Sequence, residues 1–245
     1  MDCKLKWLVL ILALSLSCHA QILGPIFYGQ GGAVGVTFIA DAFPSGGCFS
    51  TSCTTTNITT HVGDTIEVYF RLHDNTGSAV VTDTCNTGGT SDTYTLDNSR
   101  AAHQSELWHA TAGAALTCAV TVTYGAGSSE NVIYAQQWRG AAGVTFCNLS
   151  YNGTITTATD NFSSGTCTPT VAGSYIFGVG IDVSGNSTTI NAGTGYTAGS
   201  TWTDGVNFRG SGEYKAWTSG SVAATFTETQ SANGSGEAGA MIIHP

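Results

Sequence analysis

Two glutamates occupy matching places in two similar stretches of the 245-residue chain. Glu106 lies within residues 105–110 and Glu213 within residues 212–217, and aromatic residues flank both. Two carboxyls about 5–5.5 Å apart hydrolyse a glycosidic bond with retention, and two about 6.5–9.5 Å apart hydrolyse it with inversion. The pair therefore predicts a glycoside hydrolase as an alternative function. We favour the simpler interpretation of two solvent-facing strand residues, because a repeat duplicates a structural glutamate as readily as a catalytic one.

Aromatic rings beside short polar side chains predict a different site, a surface that binds a glycan. Trp202, Tyr196 and Trp217 lie in turn-rich sequence, and Asp204 and Arg209 follow the first of them. Hydroxyl and carboxylate side chains supply the donors and acceptors that sugar hydroxyl groups need. Turn residues flank Trp202 on both sides, so we expect its indole to be exposed.

Metal ligands have little support in the sequence. His103 and His109 are six residues apart and lack a third ligand, and no zinc-protease motif is present. Residues 74–77 and 182–186 are rich in the oxygen ligands that calcium prefers, but they lack the spacing of an EF-hand and suit ordinary turns. The sequence therefore predicts no metal site and no cofactor, with calcium as the alternative.

The first twenty residues have the features of an export signal. Lys4 and Lys6 precede an apolar run over residues 7–16, which is too short to cross a bilayer core of roughly 30 Å. We predict a signal peptide at 1–20, cleavage before Gln21 and a single domain at 21–245; lipidation of Cys18 is the alternative. No later run is long enough for a transmembrane helix, so we expect the mature chain to be secreted or at the cell surface.

Six cysteines remain after residue 20, and an even number in an exported chain indicates disulfide bonds. Sequence proximity favours Cys48–Cys53 and Cys147–Cys167, which leaves Cys85–Cys118 as the third pair. Zinc is the weaker alternative, because no Cys-x-x-Cys pair occurs.

The charge of the chain excludes nucleic acid as a partner. Seven basic and sixteen acidic residues become five and fifteen when Lys4, Lys6 and Asp2 leave with the signal peptide, so the mature net charge is 5 − 15 = −10. Neutralising phosphates needs clustered Lys and Arg. With 42% hydrophobic residues, the chain can nevertheless bury a core.

Alternation of apolar and polar residues dominates the chain, as over residues 64–73, whereas helical periodicity is almost absent. Many short strands between Gly-, Asn- and Ser-rich turns are typical of a sandwich or barrel. We therefore predict an all-β fold, an antiparallel two-sheet β-sandwich of jelly-roll type built from two pseudo-equivalent halves. Trp138 lies inside an apolar strand run and is expected in the core.

The chain also resembles a group of secreted, Gly/Ser/Thr-rich bacterial β-sandwich proteins of uncharacterised function. The stretches that carry the resemblance are 81–83, 93–96, 106–108, 120–124, 172–178 and 193–197. The resemblance implies an exported β-sandwich and transfers no catalytic residue. The chain departs from the group at Cys85 and in an inserted segment at 86–91.

These observations together predict a secreted, non-catalytic module that binds an extracellular glycan or surface, or that has a structural role. The structural alternative predicts self-association through exposed strand edges.

Overall fold

A computed structural model of the chain describes residues 35–46, 48–72, 79–100, 105–124, 131–155, 158–185, 187–203 and 208–245. The predicted signal peptide at 1–20, with Cys18, lies outside the described residues, as do His103 and Asp204. In the described ranges, no helix is long and apolar enough to cross a membrane.

The first half of the described chain contains ten strands, and we call it roll 1. These strands are β1 (Thr37–Ala42), β2 (Ser52–Thr54), β3 (Ile58–Thr59), β4 (Thr65–Leu72), β5 (Ala79–Asp83), β6 (Thr95–Arg100), β7 (Ser105–Thr111), β8 (Thr117–Cys118), β9 (Val120–Tyr124) and β10 (Asn131–Arg139). One sheet has the order β1-β10-β4-β7-β6, and opposite it lie the sheets β2-β9-β5 and β3-β8.

The second half contains eight strands, and we call it roll 2. These strands are β11 (Gly143–Ile155), β12 (Ala158–Ser163), β13 (Tyr175–Asp182), β14 (Ser187–Ala192), β15 (Thr197–Thr203), β16 (Arg209–Ala216), β17 (Thr225–Gln230) and β18 (Gly234–His244). The five-stranded sheet has the order β11-β18-β13-β16-β15, and the three-stranded sheet has the order β12-β17-β14.

The two rolls have the same topology. If β2 with β3 and β8 with β9 each count as one interrupted strand, both five-stranded sheets have the order first-eighth-third-sixth-fifth. Both smaller sheets have the order second-seventh-fourth. This is the strand order of a jelly roll except that the fifth strand pairs with the sixth instead of the fourth, and every neighbouring pair is antiparallel. The all-β jelly-roll prediction is therefore confirmed, and so is the prediction of two equivalent halves.

Three cores hold four layers together. A core inside roll 1 contains Phe70 and Val122, and a core inside roll 2 contains Ile176 and Phe226. The third, which we call the central core, lies between the two five-stranded sheets and includes Tyr69, Trp138 and Phe177 among other residues. The five-stranded sheets of the two rolls therefore pack face to face, and the smaller sheets form the outer layers. Trp138 is fully buried, as expected.

The central core changes the role of the polar faces of the inner strands. On β4 the apolar face packs inside roll 1, and the alternation over residues 64–73 predicts a half-buried strand whose mixed face meets solvent. Instead Glu67 and Tyr69 are fully buried and Arg71 is 8% exposed, because roll 2 covers that face. The predicted sandwich of two sheets is thus present twice in the described chain.

All three predicted disulfide bonds are present: Cys48–Cys53, Cys85–Cys118 and Cys147–Cys167. Cys85–Cys118 links the end of β5 to β8 inside roll 1, and both of its cysteines are buried. None of these sulfurs is available as a zinc ligand.

Candidate functional site

Glu106 faces the core of roll 1. It lies on β7 directly opposite Phe70 of β4, and opposite residues of an antiparallel pair point to the same face. Phe70 belongs to the roll 1 core. The carboxyl is 1% exposed, and its Oε2 accepts a 2.7 Å hydrogen bond from the indole Nε1 of Trp108.

Glu213 occupies the equivalent strand of roll 2, β16, and faces the core of that roll. Its two oxygens accept the backbone N–H groups of Gly193 at 2.7 Å and Thr225 at 2.8 Å. Gly178 lies opposite, and a Cβ there would come within 2.9 Å of Glu213 Cγ and 2.5 Å of the Ala224 side chain. Burial raises the pKa of Glu213 to about 7, although the two N–H groups oppose the shift. The carboxylate thus joins the ends of two outer strands.

The two glutamates therefore do not share a cleft. Glu106 is enclosed between the sheets of roll 1 and Glu213 between the sheets of roll 2, with both five-stranded sheets and the central core separating them. Paired carboxyls act on one glycosidic bond from either side, and this arrangement cannot place them so. The expectation that they face solvent is also wrong, since both are buried.

Trp202 is buried rather than exposed, at 6% exposure. Its indole stacks on Tyr134 at a centroid distance of 4.5 Å, and Phe43 lies 6.3 Å away on nearly parallel planes. Gly210 lies opposite Trp202 on β16, where any side chain would overlap the indole. The flanking Gly and Ser residues predicted a loop, but they belong to strand β15. The indole Nε1 has no hydrogen-bond partner among the residues that the structure describes.

A half-buried acid fixes the position of this aromatic stack. Asp41 of β1 accepts the Tyr134 hydroxyl at 2.7 Å, and it also accepts the N–H and hydroxyl of Ser200 at 2.6 and 2.7 Å. Because β1 belongs to roll 1 and Ser200 to β15 of roll 2, the carboxylate ties the two rolls together where Trp202 packs.

Tyr196 and Trp217 lie together at a different place, against the core of roll 2. The Tyr196 hydroxyl donates to the Ala223 carbonyl at 2.6 Å, and Trp217 Nε1 donates to the Gly220 carbonyl at 2.9 Å. Lys215 Nζ lies 4.8 Å from the centre of the Tyr196 ring. Both rings are half-buried supports for the segment before β17.

A groove opens beside Trp202 because of how the fifth strand of roll 2 pairs. β15 pairs with β16, so among the described strands β14 has a neighbour, β17, on one side alone. The gap between β14 and β15 has a volume of about 450 Å³. Its walls also include the segment after β1 and the start of β16. The lining residues are Phe43, Pro44, Ser45, Thr188, Thr189, Ile190, Asn191, Thr201, Trp202, Thr203, Arg209 and Gly210.

The groove lining combines polar and apolar residues, and among the described residues its charge is of one sign. Five exposed lining residues carry hydroxyl or amide groups: Thr188, Thr189, Asn191, Thr201 and Thr203. The Thr188 hydroxyl already donates to the Thr229 carbonyl at 3.0 Å. Arg209 is also exposed, and no described lining residue is acidic. Of the aromatic residues predicted to bind, Trp202 contributes to this groove, whereas Tyr196 and Trp217 do not. The wall formed by β14 was not predicted, because one sequence gives no sign that residues 188–191 meet 201–203 across a gap.

The acidic residues in the described loops act as hydrogen-bond acceptors. Asp83 lies close to Cys85 and Asp92, but Cys85 is in a disulfide bond. Asp83 accepts the N–H groups of Cys85 and Asp92 at 3.0 and 2.9 Å and the Tyr94 hydroxyl at 2.8 Å. These three donors occupy the positions around the Asp83 carboxylate where a cation would bind.

Asp182, in the loop considered for calcium, is engaged in the same way. It accepts the N–H groups of Ser184 and Ser187 at 2.8 and 2.7 Å. Asn186 and residues 74–77 lie outside the described residues.

Comparison with known proteins adds little to this description. No protein-family model matches the chain, and no curated protein matches it. Among solved structures, the major capsid protein P2 from bacteriophage PM2 is similar over 84% of this chain and 97% of that chain, at 10% sequence identity and a TM-score of 0.29. At that TM-score the two chains do not superimpose closely enough to transfer a role from one to the other.

Proposed function

We propose that the protein is a secreted, non-catalytic binding module that holds a segment of an extracellular glycan in the groove between β14 and β15. The observation that carries the proposal is the separation of roles among the polar side chains. Glu106 and Glu213 are buried as structural acceptors, whereas the hydroxyl and amide groups that suit a sugar line an exposed groove.

The chemistry of the groove matches a ligand rich in hydroxyl groups. Threonine hydroxyls donate and accept, and the Asn191 side chain does both through separate atoms. The unpaired edge of β14 adds backbone groups that can bond a ligand directly. A volume of about 450 Å³ is within the range of small-ligand sites, roughly 300–1,000 Å³. Trp202 supplies an apolar edge to the floor.

Filling the groove tests the proposal. Thr201 is exposed on β15, and Thr201→Tyr places a ring in the gap without disturbing the strand, since tyrosine favours strands. The matched control is Thr123→Tyr, at an exposed position on β9 in the outer sheet of roll 1. Affinity would be measured by calorimetry against a panel of neutral and acidic soluble polysaccharides.

We expect the wild-type protein to bind at least one polysaccharide, Thr201→Tyr to lose that binding and Thr123→Tyr to keep it. Absence of binding across the panel would refute the proposal. Equal affinity of Thr201→Tyr and wild type would show that the polysaccharide binds outside the groove.

Self-association is the second candidate function, and one feature of roll 1 favours it. β5 is an edge strand and its Val80 is 57% exposed, which is typical of a strand that pairs with another copy. Light scattering at high protein concentration tests it, and a monomer throughout the range would count against it.

A further inference from the structure

The five basic residues after residue 20 differ in how they are used. Four are engaged within the protein. Arg139 bonds Asp64 at 2.9 Å, Arg100 bonds Glu237 at 2.9 Å, and Lys215 lies over a tyrosine ring. Arg71 is buried in strand β4.

Arg209 is the exception. It opens β16, is exposed and lines the groove, and it has no ion pair or hydrogen bond among the described residues. A guanidinium has five N–H donors and no acceptor, and among the described residues that line the groove Arg209 supplies the sole positive charge. The surrounding threonines and Asn191 can bond neutral oxygens but cannot neutralise this charge.

We propose that the groove selects a glycan with an anionic sugar, whose uronate carboxylate or sulfate ester binds the Arg209 guanidinium. This inference rests on the proposed glycan-binding function and names the class of sugar. The planar guanidinium fork bonds two oxygens of one anionic group at once, and charge-assisted bonds of this kind are about twice as strong as neutral ones.

Because the protein is negatively charged overall, a preference for anionic over neutral glycans would indicate a local positive site. At −10, the mature chain repels a polyanion at long range, so non-specific attraction cannot account for binding to one. An acidic glycan will bind in preference to its neutral counterpart where a local positive site outweighs that repulsion. Added salt screens both effects, and the preference should weaken at high ionic strength.

The test compares matched polymers and matched variants by calorimetry. Polygalacturonate, alginate and hyaluronate are each paired with their carboxyl-reduced forms, and dextran sulfate is paired with dextran. The variants are Arg209→Gln, Arg209→Lys and, as a control with the same change of charge outside the groove, Lys215→Gln.

We expect wild type to bind one anionic polymer at least about tenfold more tightly than its neutral counterpart. This ratio is the contribution to affinity that is typical of hydrogen bonds to a charged group. Arg209→Gln should abolish that preference, Arg209→Lys should retain part of it, and Lys215→Gln should retain all of it. Preference for a uronate identifies a carboxylate, and preference for dextran sulfate identifies a sulfate ester.

Two results would overturn the inference while leaving the proposed function intact, provided that Thr201→Tyr loses binding. The first is a neutral polymer bound as tightly as its anionic counterpart. The second is a preference for the anionic polymer that survives Arg209→Gln. If no polymer binds the wild-type protein, both the inference and the proposed function fail.

Discussion

Buried carboxyls are the most informative single residues in this protein. Glu213 and Glu228 are both fully buried in roll 2, and burial raises the pKa of each to about 7. Glu228 Oε1 accepts a 2.6 Å hydrogen bond from Gln230, whereas its Oε2 has no hydrogen-bond partner in the described part of the chain. The repeat correctly placed Glu106 and Glu213 on equivalent strands, but a single sequence does not show which face of a strand is covered.

The raised pKa of Glu228 predicts that stability falls as pH rises. Below about pH 4.5 the carboxyl is protonated in both the folded and unfolded chain, and its contribution is fully present. As pH rises to about 7, the unfolded chain gains by releasing the proton while the folded chain holds it, so stability is lost. A shift from 4.5 to about 7 corresponds to roughly 3 kcal/mol. Glu213 acts in the same direction.

Urea unfolding of wild type and Glu228→Gln at pH 5 and pH 8 measures this effect. We expect wild type to be less stable at pH 8, and the substitution to reduce the difference by roughly 2 to 3 kcal/mol, because part of the full effect is already lost at pH 5. An identical pH dependence in the two proteins would show that Glu228 does not hold its proton in the folded state.

At the scale of elements, the sequence predicted where strands occur but not which of their faces are buried. The alternation in residues 64–73 marks β4, but its mixed face, with Glu67 and Tyr69, lies in the central core instead of solvent. Alternation indicates that the two faces of a strand differ in polarity. It does not indicate whether a second sandwich covers the polar face. The expected exposure of Trp202 is wrong for a related reason, since the space that its ring occupies exists because Gly210 on another strand has no side chain.

The disulfide bonds gave the most transferable prediction, because pairing by proximity along the chain needs no knowledge of the layers. They should differ in what they contribute to stability. A bridge restricts the unfolded chain more when its loop is longer, and the sequence separations are 33 for Cys85–Cys118, 20 for Cys147–Cys167 and 5 for Cys48–Cys53.

Replacing each pair by alanine tests this order. We expect losses of about 4, 3 and 2 kcal/mol for the three bridges in the order of decreasing separation, measured by denaturant unfolding. A Cys48–Cys53 deletion that destabilises most would show that contacts in the folded loop, rather than loop closure, set the contribution.

At the scale of the whole molecule, duplication of the jelly roll creates the candidate site. Each roll hydrogen-bonds its fifth strand to its sixth, and in roll 2 this leaves the gap between β14 and β15. Roll 1 contributes the segment Phe43–Ser45 to the wall of that gap, and Asp41 fixes the contact between the rolls. The faint repeat predicted two equivalent halves, but the gap depends on their packing, which sequence spacing does not encode.

Hydrogen–deuterium exchange with and without a bound acidic oligosaccharide is the most direct measurement of where the ligand lies. We expect slower exchange confined to Ser187–Ala192, Thr197–Thr203 and the start of β16, because the ligand covers the free edge of β14 and shields its N–H groups. Protection centred instead on Tyr196 and Trp217, or on the outer sheet of roll 1, would be incompatible with binding in the groove.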